Sequence, residues 1–138
     1  MSALVFFDTN VLVCADEPAS PAKQKRAIEL FSEHIRQGVA VLSLQVLPQY
    51  FVAATRKLGV PADVAQRKVE IFSSAKVVRL DPHDVIAAIE LHRLTQISFW
   101  DALIVHAARI SGSSILFSED FNNGAILAGV RAVNPFLG

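Results

Sequence analysis

The sequence predicts an α/β protein, a three-layer α/β/α sandwich built on a mainly parallel five-stranded sheet. Two observations carry this expectation. Short apolar runs of buried-strand type alternate with stretches of helical periodicity, the pattern of parallel strands joined by crossover helices. The joints between them carry helix caps, prolines at first helical positions and glycines at helix exits.

The elements follow in order. Leu4-Val5-Phe6-Phe7 is a first strand, closed by Asp8. Asp8-Thr9-Asn10 then opens a short helix containing Val11, Leu12 and Val13. Ser20-Pro21 pairs an N-cap with proline at the first helical position, and Ile28, Phe31 and Ile35 recur at i, i+3, i+7 until Gly38. Val39 to Leu42 is a second strand. Leu47, Phe51, Ala54 and Leu58 mark one amphipathic helix and Ala65, Val69 and Phe72 another, broken at Gly59-Val60-Pro61. The segment from Leu44 to Ser74 is therefore expected to be a helical hairpin that projects as a clamp. Lys76 to Arg79 reads as a third strand, and Asp81-Pro82 starts the next helix. Ser98-Phe99-Trp100-Asp101 has the form of a capping box, with Asp101 reaching back to a backbone amide, and the helix it opens exits at Gly112. Ser114 to Phe117 and Arg131 to Val133 complete the five strands.

Composition bounds the function. The 138 residues suit a single domain, 1–138, able to bury its own core. Hydrophobic residues reach 52% against 19% charged, an apolar excess that predicts a partner surface. Thirteen basic residues balance thirteen acidic ones, so bulk charge does not attract a polyanion; nucleic-acid contact requires local patches or a metal. One cysteine, Cys14, excludes an internal disulfide and a cysteine-rich zinc site. It reads as a small core residue in a reducing compartment. No apolar stretch approaches the ~20 residues that span a bilayer, and the first residues lack the pattern of a secretory signal. The expectation is a soluble cytoplasmic protein.

The chemistry concentrates at three joints. Asp8 follows the first strand, Asp101 opens a helix, and Asp120 follows Ser118-Glu119 after another strand. In a parallel sheet such joints share the crevice at the carboxyl ends of the strands. Carboxylates gathered there repel one another unless a proton or a hard divalent cation compensates them. Each acid also has a local explanation: Asp8 as an N-cap, Asp101 as half of a capping box, Asp120 as a turn residue. Independent caps need not converge, whereas ligands must. His34, His83, His92 and His106 lack ligand spacing and read as structural or surface residues, and no Gly-rich phosphate loop is present. A phosphatase forming an aspartyl-phosphate would place a second acid two residues after the first, where this chain has Asn10.

Taken together, Phe6-Phe7-Asp8-Thr9-Asn10-Val11-Leu12, Ser43-Leu44-Gln45-Val46-Leu47, Ser98 to Ile104, Leu116 to Phe121 and Val130 to Phe136 resemble the PIN-domain ribonucleases, specifically the VapC toxins of toxin–antitoxin pairs. The resemblance covers essentially the whole chain. It implies a PIN-like fold and hydrolysis of RNA phosphodiester bonds with Mg2+ or Mn2+ held by Asp8, Asp101 and Asp120. Asn10 and Ser118 become candidates for orienting carboxylates or water. Lys23, Lys25, Arg26, Arg56, Lys57 and Arg109 become candidates for positioning substrate. It also implies a homodimer and a small antitoxin lying in an apolar groove of the early helices, with Tyr50, Phe51 and the helix around Phe31 contributing.

The chain departs from the family pattern at Gln49, where members typically carry glutamate. A missing unit charge is worth about 4 kcal/mol to another unit charge at ~4 Å and an effective dielectric of ~20, before desolvation, so weaker metal binding follows. Gln49 also fits an ordinary polar helix face with Gln45 and Arg56. Glu119, beside Asp120, is a candidate substitute for the lost acid. The alternative function is a partner-binding module that holds antitoxin or RNA without efficient cleavage.

Overall fold

The computed structural model describes residues 3–137. Its elements are β1 (Leu4–Phe7), α1 (Thr9–Cys14), α2 (Pro21–Arg36), β2 (Ala40–Ser43), α3 (Val46–Lys57), α4 (Ala62–Phe72), β3 (Lys76–Val78), α5 (Pro82–Thr95), α6 (Phe99–Ile110), β4 (Ser113–Phe117), β5 (Ile126–Leu127) and β6 (Val130–Val133). They form the expected α/β arrangement around one sheet, in the order β3-β2-β1-β4-β6-β5. All neighbours pair in parallel except β5 with β6.

The sheet has six strands where the sequence suggested five. The extra strand, β5, is two residues long and leaves no periodic signal; it exists because a tight turn folds it back on β6, with Leu127 opposite Val130. Both turn residues have positive φ, Ala128 at 50° and Gly129 at 83°, as the right-handed twist of a two-residue hairpin requires. Glycine accepts that conformation freely, while alanine bears a cost of about 1 kcal/mol.

Consecutive buried positions in β1 and β2 show that both faces of the central sheet are covered. Helix α6 packs against β2, β4 and β6, with α5 outside it, while α2 and α3 also pack on β2. From Ala102 to Ala108 every residue of α6 is buried. Phe7 is fully buried beneath the end of β1, in edge-to-face contact with Phe31, Phe117 and the His34 ring. Phe31 continues the stack to Phe72, which meets Tyr50.

Three local expectations change. The hairpin of α3 and α4 does not project: Tyr50, Ala54, Ala65 and Phe72 belong to the main core. Tyr50 is wholly buried and is not a surface contact; its hydroxyl donates to Asp16, which also pairs with Lys68 at 2.5 Å, tying both helices to the end of α1. Ser20 precedes α2 but makes no side-chain cap bond, leaving proline at the first turn to set that end. At α5, by contrast, Asp81 and Asp84 form a complete capping box.

Phe7→Ala is expected to cost about 3–5 kcal/mol, because it opens a cavity in an aromatic stack that cannot collapse. Chemical denaturation of the purified variant measures this, and a loss below 1 kcal/mol would contradict the packing described.

Candidate metal-binding active site

The strand order reverses at β1. The chain steps outward from β1 to β2 and β3, then returns to lay β4 on the other side of β1. A reversal of this kind opens a crevice at the carboxyl ends of the strands. Phe7 is in register with Phe117, and the Asp8 amide donates to the Phe117 carbonyl at 3.0 Å, so Asp8 and Ser118 leave the ladder side by side. Helices that follow or precede parallel strands run against them. The first turns of α3 and α6, bearing Gln49 and Asp101, therefore lie at the same edge. There the fold forms a cavity of about 520 Å3 whose walls include Asp8, Asn10, Gln49, Asp101, Glu119 and Asp120.

The buried member is Asp8, 5% exposed. Its Oδ1 accepts from the Thr9 amide at 2.7 Å and its Oδ2 from the Ser118 hydroxyl at 2.8 Å. The Ser118 oxygen in turn accepts from the Asp120 amide at 3.0 Å and from Asn10 Nδ2 at 3.3 Å. Asn10 Oδ1 accepts from the Glu119 amide at 3.2 Å. Asn10 and Ser118 thus lock the loop after β1 to the loop after β4. Asp8 does cap α1, yet its carboxylate also faces the cavity, so the cap and the site use one side chain.

Burial raises the Asp8 pKa from 3.8 to about 6. The bonds from Ser118 and Thr9 oppose the rise, and repulsion from Asp120 and Asp101 adds to it. Asp101 is also raised, first by burial and then by Asp120, with Ser98 acting the other way. The three aspartates are thus close enough to feel one another's charge. Ser98 accepts from the Asp101 amide at 3.1 Å, but the reciprocal bond of a capping box does not form; the Asp101 carboxylate lines the cavity instead.

Gln49 stands in the cavity wall with its carbonyl accepting from Thr9 Oγ1 at 3.0 Å. Glu119 is engaged as well: it pairs with Lys23 at 2.5 Å and accepts from Cys14 Sγ at 3.3 Å. Burial, followed by Glu119, pushes the Cys14 thiol up to about 12. Cys14 is therefore an unreactive buried donor on the cavity wall, in addition to a core residue.

Among the described residues no three acidic, histidine or cysteine side chains stand close enough to enclose an ion by themselves. The donors nevertheless suit a hard divalent cation: all are oxygens, they repel one another, and they leave one side open. Mg2+ is usually held in this manner, by a few carboxylates with water and substrate phosphate filling the other positions. The Gln45 amide also belongs to the wall, with both terminal atoms buried and no hydrogen-bond partner among the described residues. An orphaned amide of this kind is suited to a polar guest.

Of the six basic candidates, Lys57 lines the cavity. Lys23 is bound to Glu119, Lys25 lies 4.0 Å from Glu29, and Arg26 donates to the Pro135 carbonyl at 3.2 Å. Arg109 donates to His106 Nδ1 at 2.6 Å, which leaves Nε2 to donate to Asp84 at 2.8 Å. That buried histidine is structural, and Arg56 is not part of the wall. Sequence reading missed Gln45, Glu17 and Trp100 as wall residues. Trp100 carried a signal: it sits beside Asp101 at a helix start, before the buried stretch begins.

A family profile for the PIN domain matches residues 5–123. No curated protein matches the chain. Among solved structures, a toxin–antitoxin complex from Klebsiella pneumoniae is similar with a TM-score of 0.71 at 17% identity, over 96% of this chain and 98% of that one. VapC20 from Mycobacterium tuberculosis, a toxin that cleaves the sarcin–ricin loop, gives 0.69 at 25% identity over 92% and 98%. VapBC2 from Rickettsia felis, bound to a fragment of its promoter DNA, gives 0.64 at 15% identity over 94% and 96%.

The raised Asp8 pKa makes a signed prediction for the metal-free protein. A folded-state pKa of about 6 against 3.8 means that the stabilisation is complete below 3.8 and is lost as pH rises through about 6, an effect of about 3 kcal/mol at most. Thermal melting in chelator should therefore show stability falling between pH 4 and 7, and Asp8→Asn should flatten that slope. An unchanged slope in the variant would assign the pH dependence elsewhere.

Proposed function

The chain belongs to the PIN-domain family, and from that premise we propose that it is a metal-dependent endoribonuclease toxin, a VapC-like single domain over 1–138, held inactive in the cytoplasm by a cognate antitoxin. The supporting observation is that Asp8, Asp101 and Asp120, supplied by three distant segments, line one cavity at the switch point of the sheet. Among the described residues no helix is long and apolar enough to cross a membrane.

Asp8, Asp101 and Asp120 are the residues that would hold Mg2+ or Mn2+. When bound, such an ion supplies Lewis acidity for activating water and offsetting charge at the scissile phosphate. Asp8 is fixed by Ser118 and Thr9, and Ser118 is fixed by Asn10, so its oxygens are aimed before any substrate arrives. Gln49 contributes no charge, and its carbonyl is turned to Thr9.

Similarity to toxin–antitoxin complexes supports a small antitoxin as partner, and we place homodimerisation in the same proposal. An apolar groove between the early helices offers the docking surface: Leu12, Ala27, Ile28, Phe31, Ile71 and Phe72 line it, with Ile28 48% and Ile71 56% exposed. Phe51 lines a neighbouring apolar surface with Leu47 and Val52.

Incubation of purified protein with structured RNA in Mg2+ or Mn2+ tests the enzyme. Cleavage is expected, with a loss of at least ~100-fold in Asp8→Asn; Gln49→Glu should lower the half-saturating metal concentration roughly 10-fold, a fraction of the charge attraction available. Should neither wild type nor Gln49→Glu cut RNA while a partner binds tightly, the protein is a binding module. For the groove, Ile71→Glu should weaken antitoxin binding at least ~10-fold in calorimetry while leaving cleavage intact, since a charge is forced into an apolar contact; unaltered affinity would move the antitoxin to another surface.

A further inference from the structure

Trp100 is the chain's only tryptophan, and it is 61% exposed although it belongs to the first turn of a helix whose middle, Ala102 to Ala108, is buried throughout. It is not surplus core. Its indole lines the cavity beside Asp101, propped edge-on by the Phe99 ring at 5.2 Å between centroids. On another wall of the same cavity, contributed by α3, stands Lys57, which has no carboxylate within ion-pairing distance among the described residues. An exposed ring and a free ammonium thus flank the three aspartates.

We propose that Trp100 is the platform on which one unpaired base of the RNA stacks, and that Lys57 contacts the phosphate of the strand it carries. This rests on the ribonuclease reading above. A base within a helix is stacked on both faces and has no free surface for an indole, whereas a splayed base does. Aromatic stacking tolerates any base, which makes Trp100 a determinant of strandedness more than of sequence. The other charged residues on the wall, Asp8, Glu17, Asp101, Glu119 and Asp120, are all acidic. A phosphate therefore has a single cationic side chain on the wall to meet, and Lys57 fixes the register of the backbone relative to the acids. Other exposed tryptophans serve as protein contacts; what favours RNA here is the position inside the catalytic cavity and the matching cation.

The lone tryptophan supplies its own readout. Titrating the full-length Asp8→Asn protein with a short unpaired oligoribonucleotide should quench intrinsic fluorescence, and the same strand annealed to its complement should not. Stacking is worth about 1–3 kcal/mol per base, so Trp100→Ala should weaken binding of the single strand roughly 5- to 150-fold, with Trp100→Phe recovering part of the loss. On the cleavable background Trp100→Ala should raise KM more than it lowers kcat, without shifting the melting temperature. Lys57→Ala should reduce the salt dependence of binding by about one phosphate contact. If wild type cleaves RNA but binding leaves the fluorescence unchanged and Trp100→Ala keeps its KM, the platform is wrong while the ribonuclease stands. If no RNA is bound or cut at all, both fall together. A fluorescence change that follows protein concentration without RNA would assign the indole to a contact between copies and overturn the proposal.

Discussion

A carboxylate buried between two parallel strands is the constraint around which this molecule is arranged. Asp8 lies at the end of the central strand with 5% of its surface exposed, where an unpaired charge is costly. The fold offsets that cost with donors from both sides: its own helix start through Thr9, and the loop after β4 through Ser118. Because Ser118 also receives the Asp120 amide and the Asn10 side chain, satisfying Asp8 also positions the loop that carries Asp120. The register of β1 against β4 makes this possible, and the aromatic stack beneath Phe7 holds it.

The alternation of elements was plain in the residues because parallel strands buried on both faces read as continuous apolar runs, and Leu4–Phe7 and Ala40–Ser43 are of that type. β5 was not, since two residues carry no period. Helix faces were legible to within a neighbouring stripe: of the expected Leu47, Phe51, Ala54 and Leu58, Ala54 is buried in α3, while the other buried residues, Val46 and Tyr50, each precede an expected one by a single position. Tyr50 read as a surface aromatic because its partner Asp16 lies 34 residues away. Long-range pairs leave no local trace.

The site divides in the same way. That three aspartates stand at structural joints is local information; that the joints meet requires the strand order. For Asp101 the local motif pointed to a closed capping box, and the tertiary setting redirected its carboxylate to the cavity. The pairing of Glu119 with Lys23, across 96 residues, and with Cys14 was invisible in the sequence. It has a chemical meaning for the missing acid at Gln49. The candidate replacement, Glu119, is already paired with the Lys23 ammonium, so under the proposed function a dication would meet three acids and a fourth that is committed elsewhere.

Both margins of the sheet are blunt. β3 is three residues long and β5 only two, the latter folded back in the opposite direction by its tight turn. Stubs of this length offer an incoming strand almost no ladder to extend, the usual defence against runaway edge pairing. Contact with another chain is consequently left to side-chain packing on the helical flanks, away from the backbone edges of the sheet.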